Sequence, residues 1–289
     1  EDWVDTNHPS RFIREFVDGL NMTDVGFIMP QEEYGRPTYS PQLLLRVWLY
    51  GYYKKVRSSR KLELSCREDI GFIWLCGNHR PDHNTLWRFF KANRQGLRSL
   101  FKQSIKIALN LDLAGLVLQA VDGTKIQAVN GGGSGYSQKG LEELLENLDL
   151  QIRELEGLIS GGEKFQEVSS DLPKELEQRV VLKEKVQKAL ECSHNELRKH
   201  VHPHDLETNR MQCDQRNRFG YNAQAVVDSK EGLILAADVT ARVDDHRELT
   251  KMCSQAKENT GSDAVTVADG GYANGRELAK AKENEFKVI

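Results

Sequence analysis

The chain has 289 residues, 39% hydrophobic and 29% charged, which is enough apolar material for a sizeable core and enough length for two domains. No stretch reaches the roughly 18 apolar residues of a membrane span, and the opening Glu-Asp-Trp-Val-Asp lacks a signal-peptide pattern, so a membrane-embedded or exported protein is not expected. Five cysteines (Cys66, Cys76, Cys192, Cys213, Cys253), widely spaced and without a Cys-x-x-Cys pair, suggest neither a disulfide framework nor a zinc site, and a reducing, cytoplasmic compartment fits.

The net charge of −3 averages over two opposite regions. From Gln42 to Leu109 there are fourteen Lys or Arg against four acids, whereas from Leu141 to His200 there are fourteen acids against nine bases. The two regions are expected to face different partners. The chain starts without methionine and stops on the apolar run Phe286-Lys287-Val288-Ile289 with no turn or cap after it, the pattern of an interrupted strand, so a fragment is expected.

In chain order, Leu43, Leu44, Val47, Trp48 and Tyr52 recur at helical spacing behind a Ser40 cap and Pro41. Further apolar positions from Leu62 to Leu75 end in the turn-forming Gly77-Asn78-His79-Arg80-Pro81-Asp82. A short helix is then expected from about Asn84 to Ala92, with Leu86, Phe89 and Phe90 inward and Arg88, Lys91 and Arg94 outward. A third amphipathic helix is expected to follow through Leu97, Leu100, Phe101, Ile105 and Leu109. Short helix, turn, short basic helix is helix-turn-helix grammar. The reading is that Arg88, Lys91 and Arg94, with Lys54, Lys55, Arg57, Arg60 and Lys61 earlier in the basic segment, contact double-stranded DNA. Trp74, Trp87 and Phe90 are read as core residues. The alternative is a basic surface that merely solvates a helical bundle.

Leu113 to Ile126, with the apolar run Leu116, Val117, Leu118, Ala120 and Val121 ending in Asp122-Gly123-Thr124-Lys125-Ile126, reads as a buried strand carrying one acid. Beyond the glycine-rich residues 131–135, Leu141, Leu145, Leu148, Ile152, Leu155 and Ile159 form a heptad seam, broken by Gly161-Gly162 through Pro173, and a second, less regular helix through Leu176, Val180, Leu182, Val186, Leu190 and Leu197 completes an antiparallel hairpin. Strands are expected at Tyr221–Val227, Leu233–Val239 and Ala264–Ala268. Between the last two lies a helix capped at Asp244 or Asp245, and another helix runs from Gly275 to about Asn284. The fold class is therefore α+β, an all-helical N-terminal domain followed by a mixed sheet interrupted by a helical hairpin.

Asp122 and Asp269 both follow an apolar strand and precede glycine. Carboxylates on adjacent strands are the hard oxygen ligands that Mg²⁺ or Mn²⁺ prefer, and two such ions can drive in-line displacement at phosphorus. Taken alone, Asp-Gly is more often turn chemistry. Asp228 and Asp238 are explained by a hairpin turn and a mid-sheet position, Glu277 by a helix surface, and His200, His202 and His204 by a solvent-facing loop.

Five groups of residues, taken together, resemble the DDE transposases of bacterial insertion sequences over nearly the whole chain. They are Tyr39-Ser40-Pro41 with Leu43-Leu44-Leu45; His83-Asn84-Thr85-Leu86 with Arg88-Phe89; Asp122-Gly123-Thr124-Lys125; Tyr221-Asn222-Ala223-Gln224-Ala225-Val226-Val227-Asp228; and Ala268-Asp269-Gly270-Gly271-Tyr272. The resemblance implies a helical DNA-binding domain over residues 1–110 and an RNase H-like catalytic domain over 113–130 and 205–289, with a coiled-coil-like insertion at 137–200. It also implies Asp122 and Asp269 as catalytic, metal-binding acids, a two-metal Mg²⁺ or Mn²⁺ site in the complete protein, DNA ends and target as partners, a homo-oligomer assembled on DNA, and a location at the bacterial nucleoid. The third acid of the family would be a glutamate beyond Ile289. A nuclease of the same fold that cleaves without joining, and an inert DNA-binding regulator derived from a transposase, are the competing readings.

Overall fold

Short polar side chains start most of the N-terminal helices. His8 Nδ1 accepts from Ser10 N ahead of α1 (Pro9–Asp18), and Ser40 Oγ accepts from Leu43 N ahead of α2 (Pro41–Tyr53), with proline in the first turn of each. After α3 (Ser59–Glu68), Asp69 caps α4 (Ile70–Leu75) by accepting from Gly71 N and Phe72 N. Asp82 caps α5 (His83–Ala92) through Thr85 N, and α6 (Arg94–Asn110) follows. The computed structural model describes residues 3–29, 38–129, 135–160, 171–196, 198–213 and 215–289. They divide into two compact units, Glu1–Ile107 and Ala108–Ile289.

In the first unit Leu45, Val47, Trp48, Leu62, Phe72, Leu75 and Leu86 form one buried cluster, each side chain of this kind contributing about 1.5–3 kcal/mol. Trp48 Nε1 donates to Leu86 O at 3.1 Å, joining α2 to α5 while satisfying the buried indole. Helix α2 starts behind Ser40 as expected, and α5 lies within a residue of its expected bounds. Trp87 departs from expectation: it is 48% exposed, stacked on the flank of Phe90 rather than set in the core. Phe90 already fills the contact with Trp48, so the next aromatic on the helix is turned outward.

The second unit is a mixed sheet with helices. β1 (Leu118–Gln127) leads, across residues 130–134, to α7 (Gln138–Ser160) and α8 (Leu172–Glu196). Then come β2 (Asn209–Cys213), β3 (Arg216–Asp228), β4 (Ile234–Thr240), α9 (Leu249–Thr260), β5 (Val265–Ala268), a single 3-10 turn (Gly270–Tyr272) and α10 (Gly275–Glu283). β3 pairs antiparallel with β1 on one edge, and with β2 and β4 along its two halves, while β5 pairs parallel with β1. Beyond β5, Val288 bridges Thr266 in parallel, as the expected terminal strand requires. The α+β class with a helical hairpin between the first and later strands is thus the observed one. The expected glycine-rich link and the break between the hairpin helices fall largely on residues 130–134 and 161–170, outside the described residues.

Leu141 and Leu148 of α7 pack with Val186 and Ala189 of α8, and Lys183 Nζ reaches Asp149 Oδ1 at 2.6 Å. The seam weakens toward Ile159, which is 38% exposed. Tyr136 and Val201 exchange backbone hydrogen bonds at the other end and close the base of the hairpin. No helix among the described residues is long and apolar enough to cross a membrane.

β1 corrects two expectations. It starts at Leu118 rather than Leu113, and Asp122 stands within it rather than at its end, because β3 goes on pairing with β1 from Asp122↔Ala225 to Gln127↔Gly220. Nor is it buried on both faces. Gln119 and Val121 point inward, where Gln119 donates to Thr266 Oγ1 and Thr266 meets Cys253 of α9, whereas Leu118 and Asp122 are exposed. Helix α9 also begins later than expected, because neither Asp244 nor Asp245 caps it; Glu248 stands at its start.

The entry to β1 is pinned by Asp228, the last residue of β3. Its 1% exposed carboxylate accepts from Gly115 N, Leu116 N and Lys230 N at 2.9–3.0 Å. Burial pushes its pKa up, but the three amides and the Lys230 charge outweigh that and hold it below the usual range. A depressed folded pKa contributes stability above about pH 4 that is lost as pH falls toward the folded value. Asp228→Asn is therefore expected to destabilise the protein by about 1–3 kcal/mol at neutral pH, since one amide hydrogen must then face a backbone donor. In denaturant titrations the gap from wild type should narrow below about pH 4, and a constant gap across the range would contradict this account.

Candidate active site and nucleic-acid interface

The parallel register of β1 and β5 runs from Leu118↔Val265 to Val121↔Ala268. The residue after each of that last pair is an aspartate, Asp122 within β1 and Asp269 just past the end of β5, so the two acids follow neighbouring positions on strands spaced about 4.8 Å apart. Both are exposed, and each carboxylate is steadied locally: Asp122 Oδ1 accepts from Gly123 N at 2.7 Å, and Asp269 Oδ1 accepts from Gly271 N at 2.8 Å as it starts the 3-10 turn. In kind, this pair of hard oxygen donors suits a divalent cation. In number it supplies two ligands; among the described residues no group of three or more His, Cys, Asp or Glu is arranged to hold a metal.

Around the pair lies a polar cluster that sequence patterns do not display. Asp245, in the stretch between β4 and α9, accepts from Asn222 Nδ2 and Gln224 Nε2, each at 2.6 Å, and from Lys125 Nζ at 3.1 Å. Gln224 Nε2 also donates to Asn222 Oδ1, and the Tyr272 hydroxyl donates to Gln224 Oε1. Asn222, Gln224 and Tyr272 are each no more than 2% exposed. Burial raises the Asp245 pKa, yet its hydrogen bonds from Asn222, Lys125 and Gln224, with the Lys125 charge, hold it below the usual range. Burial pushes the Tyr272 phenol well above its ordinary value, and the charges of Asp245, Asp122 and Asp269 push it further. Tyr272 therefore stays protonated and acts as a donor, with all three carboxylates in its surroundings.

The glycines after the two acids have different reasons to be there. A Cβ on Gly123 would lie 2.3 Å from Gln224 Nε2 and 2.8 Å from Asp245 Oδ1, whereas one on Gly270 would meet nothing within 4 Å. In the sequence both look like turn chemistry. In the fold Gly123 is a mid-strand residue whose missing side chain makes room for the Asp245 cluster.

The other acids stand apart from this group. Asp228 is absorbed by backbone amides, and Asp238 by an ion pair with Lys251. Glu277, expected on a helix surface, is instead 3% exposed and ion-paired with Lys280 at 2.8 Å, because its side of α10 packs against α9, where Thr250 also reaches its carbonyl. His202, expected in solvent, is 1% exposed with its ring edge-on to Phe219, so the histidine loop is anchored by its middle residue, while His204 stays exposed.

In the first unit all eight basic residues read as DNA contacts are exposed. Arg88 and Lys91 lie on α5 and Arg94 starts α6; Lys54, Lys55 and Arg57 link α2 to α3, whose first turn carries Arg60 and Lys61. Only Lys54 among them has an ion pair with a described residue, to Asp69 at 3.5 Å. Three of the four acids in the segment are engaged: Asp69 and Asp82 as helix caps, and Glu63 with Arg67 and the His83 ring. The positive charge is thus left outward.

Gly123→Ala is expected to cost about 1–3 kcal/mol of stability by forcing Gln224 or Asp245 aside, and Gly270→Ala to cost much less. Thermal unfolding of the two variants, compared under one set of conditions, checks this; equal losses would mean that the clearance at Gly123 does not matter.

A family profile described as a transposase domain (DUF772) matches residues 1–92, and one described as a transposase DDE domain matches residues 198–288. Comparison with curated proteins gives no match, and comparison with solved structures gives none either. The two profiles fall in order on the helical unit and on the later strands of the sheet, including Asp269 and its turn, and together they cover more than half of the chain, which belongs to the insertion-sequence DDE transposases.

Proposed function

We propose that this protein is a transposase that binds DNA with its helical unit and cuts and joins DNA strands at the Asp122–Asp269 pair. The single observation that carries the chemical half is the register: two exposed aspartates in succession to Val121↔Ala268, on adjacent parallel strands. Divalent cations serve this family generally, and Asp122 and Asp269 would be two of the carboxylates that hold Mg²⁺ or Mn²⁺ here. Bound there, the cation supplies activation of water or of a DNA 3′-hydroxyl and charge neutralisation at the leaving oxygen.

The protein's own contribution is position. Gly123 N and Gly271 N each fix one oxygen of an acid, which leaves the other oxygen of each carboxylate for a ligand. Tyr272, held by Gln224, anchors the turn that carries Asp269 to the strand that pairs with β1. No side chain is needed as a covalent nucleophile. The DNA-reading half rests on Arg88, Lys91 and Arg94, which are exposed and have no ion pair with any described residue, on helices seated against the Trp48–Leu86 core.

Calorimetric titration with Mn²⁺ tests the acid pair. Wild type should bind the ion, Asp122→Asn or Asp269→Asn should bind it at least about 10-fold more weakly, and Asp238→Asn should bind as wild type does. No binding by wild type, or undiminished binding by the double Asp122→Asn/Asp269→Asn variant, would remove the assignment. For the DNA-reading half, Arg88→Glu/Lys91→Glu/Arg94→Glu should lower the slope of log affinity against log salt by about 3, at roughly 0.9 for each phosphate no longer neutralised. An unchanged slope would move the interface elsewhere.

A further inference from the structure

Within the second unit a cavity of about 770 Å³ is lined by Arg242, Arg247, Arg276 and Lys280, with Asn274 and Glu277. Its wall carries no large apolar side chain, unlike the mostly hydrophobic wall of a small-molecule pocket. Two of its four bases are balanced: Lys280 by the buried Glu277 at 2.8 Å, and Arg242 by the buried Glu248 at 3.6 Å. Arg247 and Arg276 have no ion pair with any described residue, and both are exposed. The cavity therefore holds two uncompensated guanidinium groups, whose planar donor forks match phosphate oxygens.

Its position is tied to the acid pair by the chain itself. Asn274 follows Asp269 by five residues, a reach of at most about 18 Å, which is about five nucleotides at roughly 3.4 Å of duplex axis each. Arg242 and Arg247 flank Asp245, whose carboxylate lies against Gly123 and faces Gly271. The stretch that supplies two of the arginines is thus the one fastened beside Asp122 and Asp269.

We infer that this cavity holds the phosphodiester backbone of the DNA strand that is being cut, a few nucleotides from the scissile bond, with Arg247 and Arg276 as its phosphate contacts. The inference rests on the transposase reading, and it adds a DNA contact in the second unit to the one proposed for the helices.

The test is the salt dependence of binding of a labelled mixed-sequence duplex by the full chain. Arg247→Ala/Arg276→Ala should lower the log–log slope by about 2 and weaken binding by at least about 10-fold at 0.1 M salt. The same drop should appear in the Arg88→Glu/Lys91→Glu/Arg94→Glu background, since the contacts are separate. Lys188→Ala/Lys282→Ala, which removes equal charge outside the cavity, should leave the slope nearly unchanged. A slope unaffected by the arginine pair, or lowered equally by the lysine pair, overturns the cavity assignment while leaving the transposase reading in place. If wild type retains no DNA at any salt, both fall. Both arginine side chains are exposed, so thermal unfolding of that variant should match wild type and exclude misfolding as the cause.

Discussion

Three side-chain donors converge on the carboxylate of Asp245, and through them four distant stretches of sequence are fixed to one another. Lys125 brings β1, Asn222 and Gln224 bring β3, and Tyr272 brings the turn that follows β5 by binding the far end of Gln224. Each bond to an ionised acceptor contributes about 1.5–3 kcal/mol when made, and a partly satisfied network of this kind would cost more than an apolar replacement. The cluster is therefore all-or-none in character. The β1–β5 register places Asp122 and Asp269, and the cluster borders both: one lies next to Gly123, against which the cluster packs, and the other begins the turn that Tyr272 ties down.

The acids of this protein divide by what their oxygens do. Asp228 and, as helix caps, Asp69 and Asp82 accept from backbone amides, Asp69 also pairing with Lys54; Glu63, Asp238 and Glu277 spend theirs on neighbouring cations; Asp245 takes three side-chain donors. Asp122 and Asp269 each use a single oxygen on one nearby amide and are exposed. Carboxylates with spare acceptor capacity at neighbouring register have no structural employment that would explain them. That contrast carries more weight than the Asp-Gly pattern, which both structural and chemical acids can share.

Much of the architecture could be read from periodicity. The capped helices α2 and α5, the heptad seam of α7 and the strands β3, β4 and β5 all rest on local patterns that the fold did not override. β2 escaped because Asn-Arg-Met-Gln-Cys offers only Met211 and Cys213 as inward apolar residues, and nothing in five residues marks it until Arg216–Gly220 lies alongside. Asp122 and Asp269 were readable as candidates, but Asp245 was not: an aspartate just ahead of an amphipathic helix looks like a cap, and only the arrival of Asn222, Gln224 and Lys125 from other strands gives it a different use. Glu277 and His202 were misplaced for the same reason, since burial of a polar side chain depends on partners that sequence spacing does not display.

Charge follows the same logic on a larger scale. In the helical unit Asp69 and Asp82 serve as caps, Asp18 pairs with Arg46 and Glu63 with Arg67, while Arg88 and Lys91 stand at the surface with no ion pair to a described residue. In the sheet unit Glu277 and Glu248 are buried against Lys280 and Arg242, which leaves Arg247 and Arg276 in the same condition. A chain with a net charge of −3 can thus present local positive surfaces, because its acidic excess sits largely between Leu141 and His200. The helical insertion then has an electrostatic consequence. Its acidic surface disfavours a polyanion, so under the proposed reading the phosphate backbone is directed to the unpaired bases of the helical unit and to the arginines near the paired aspartates.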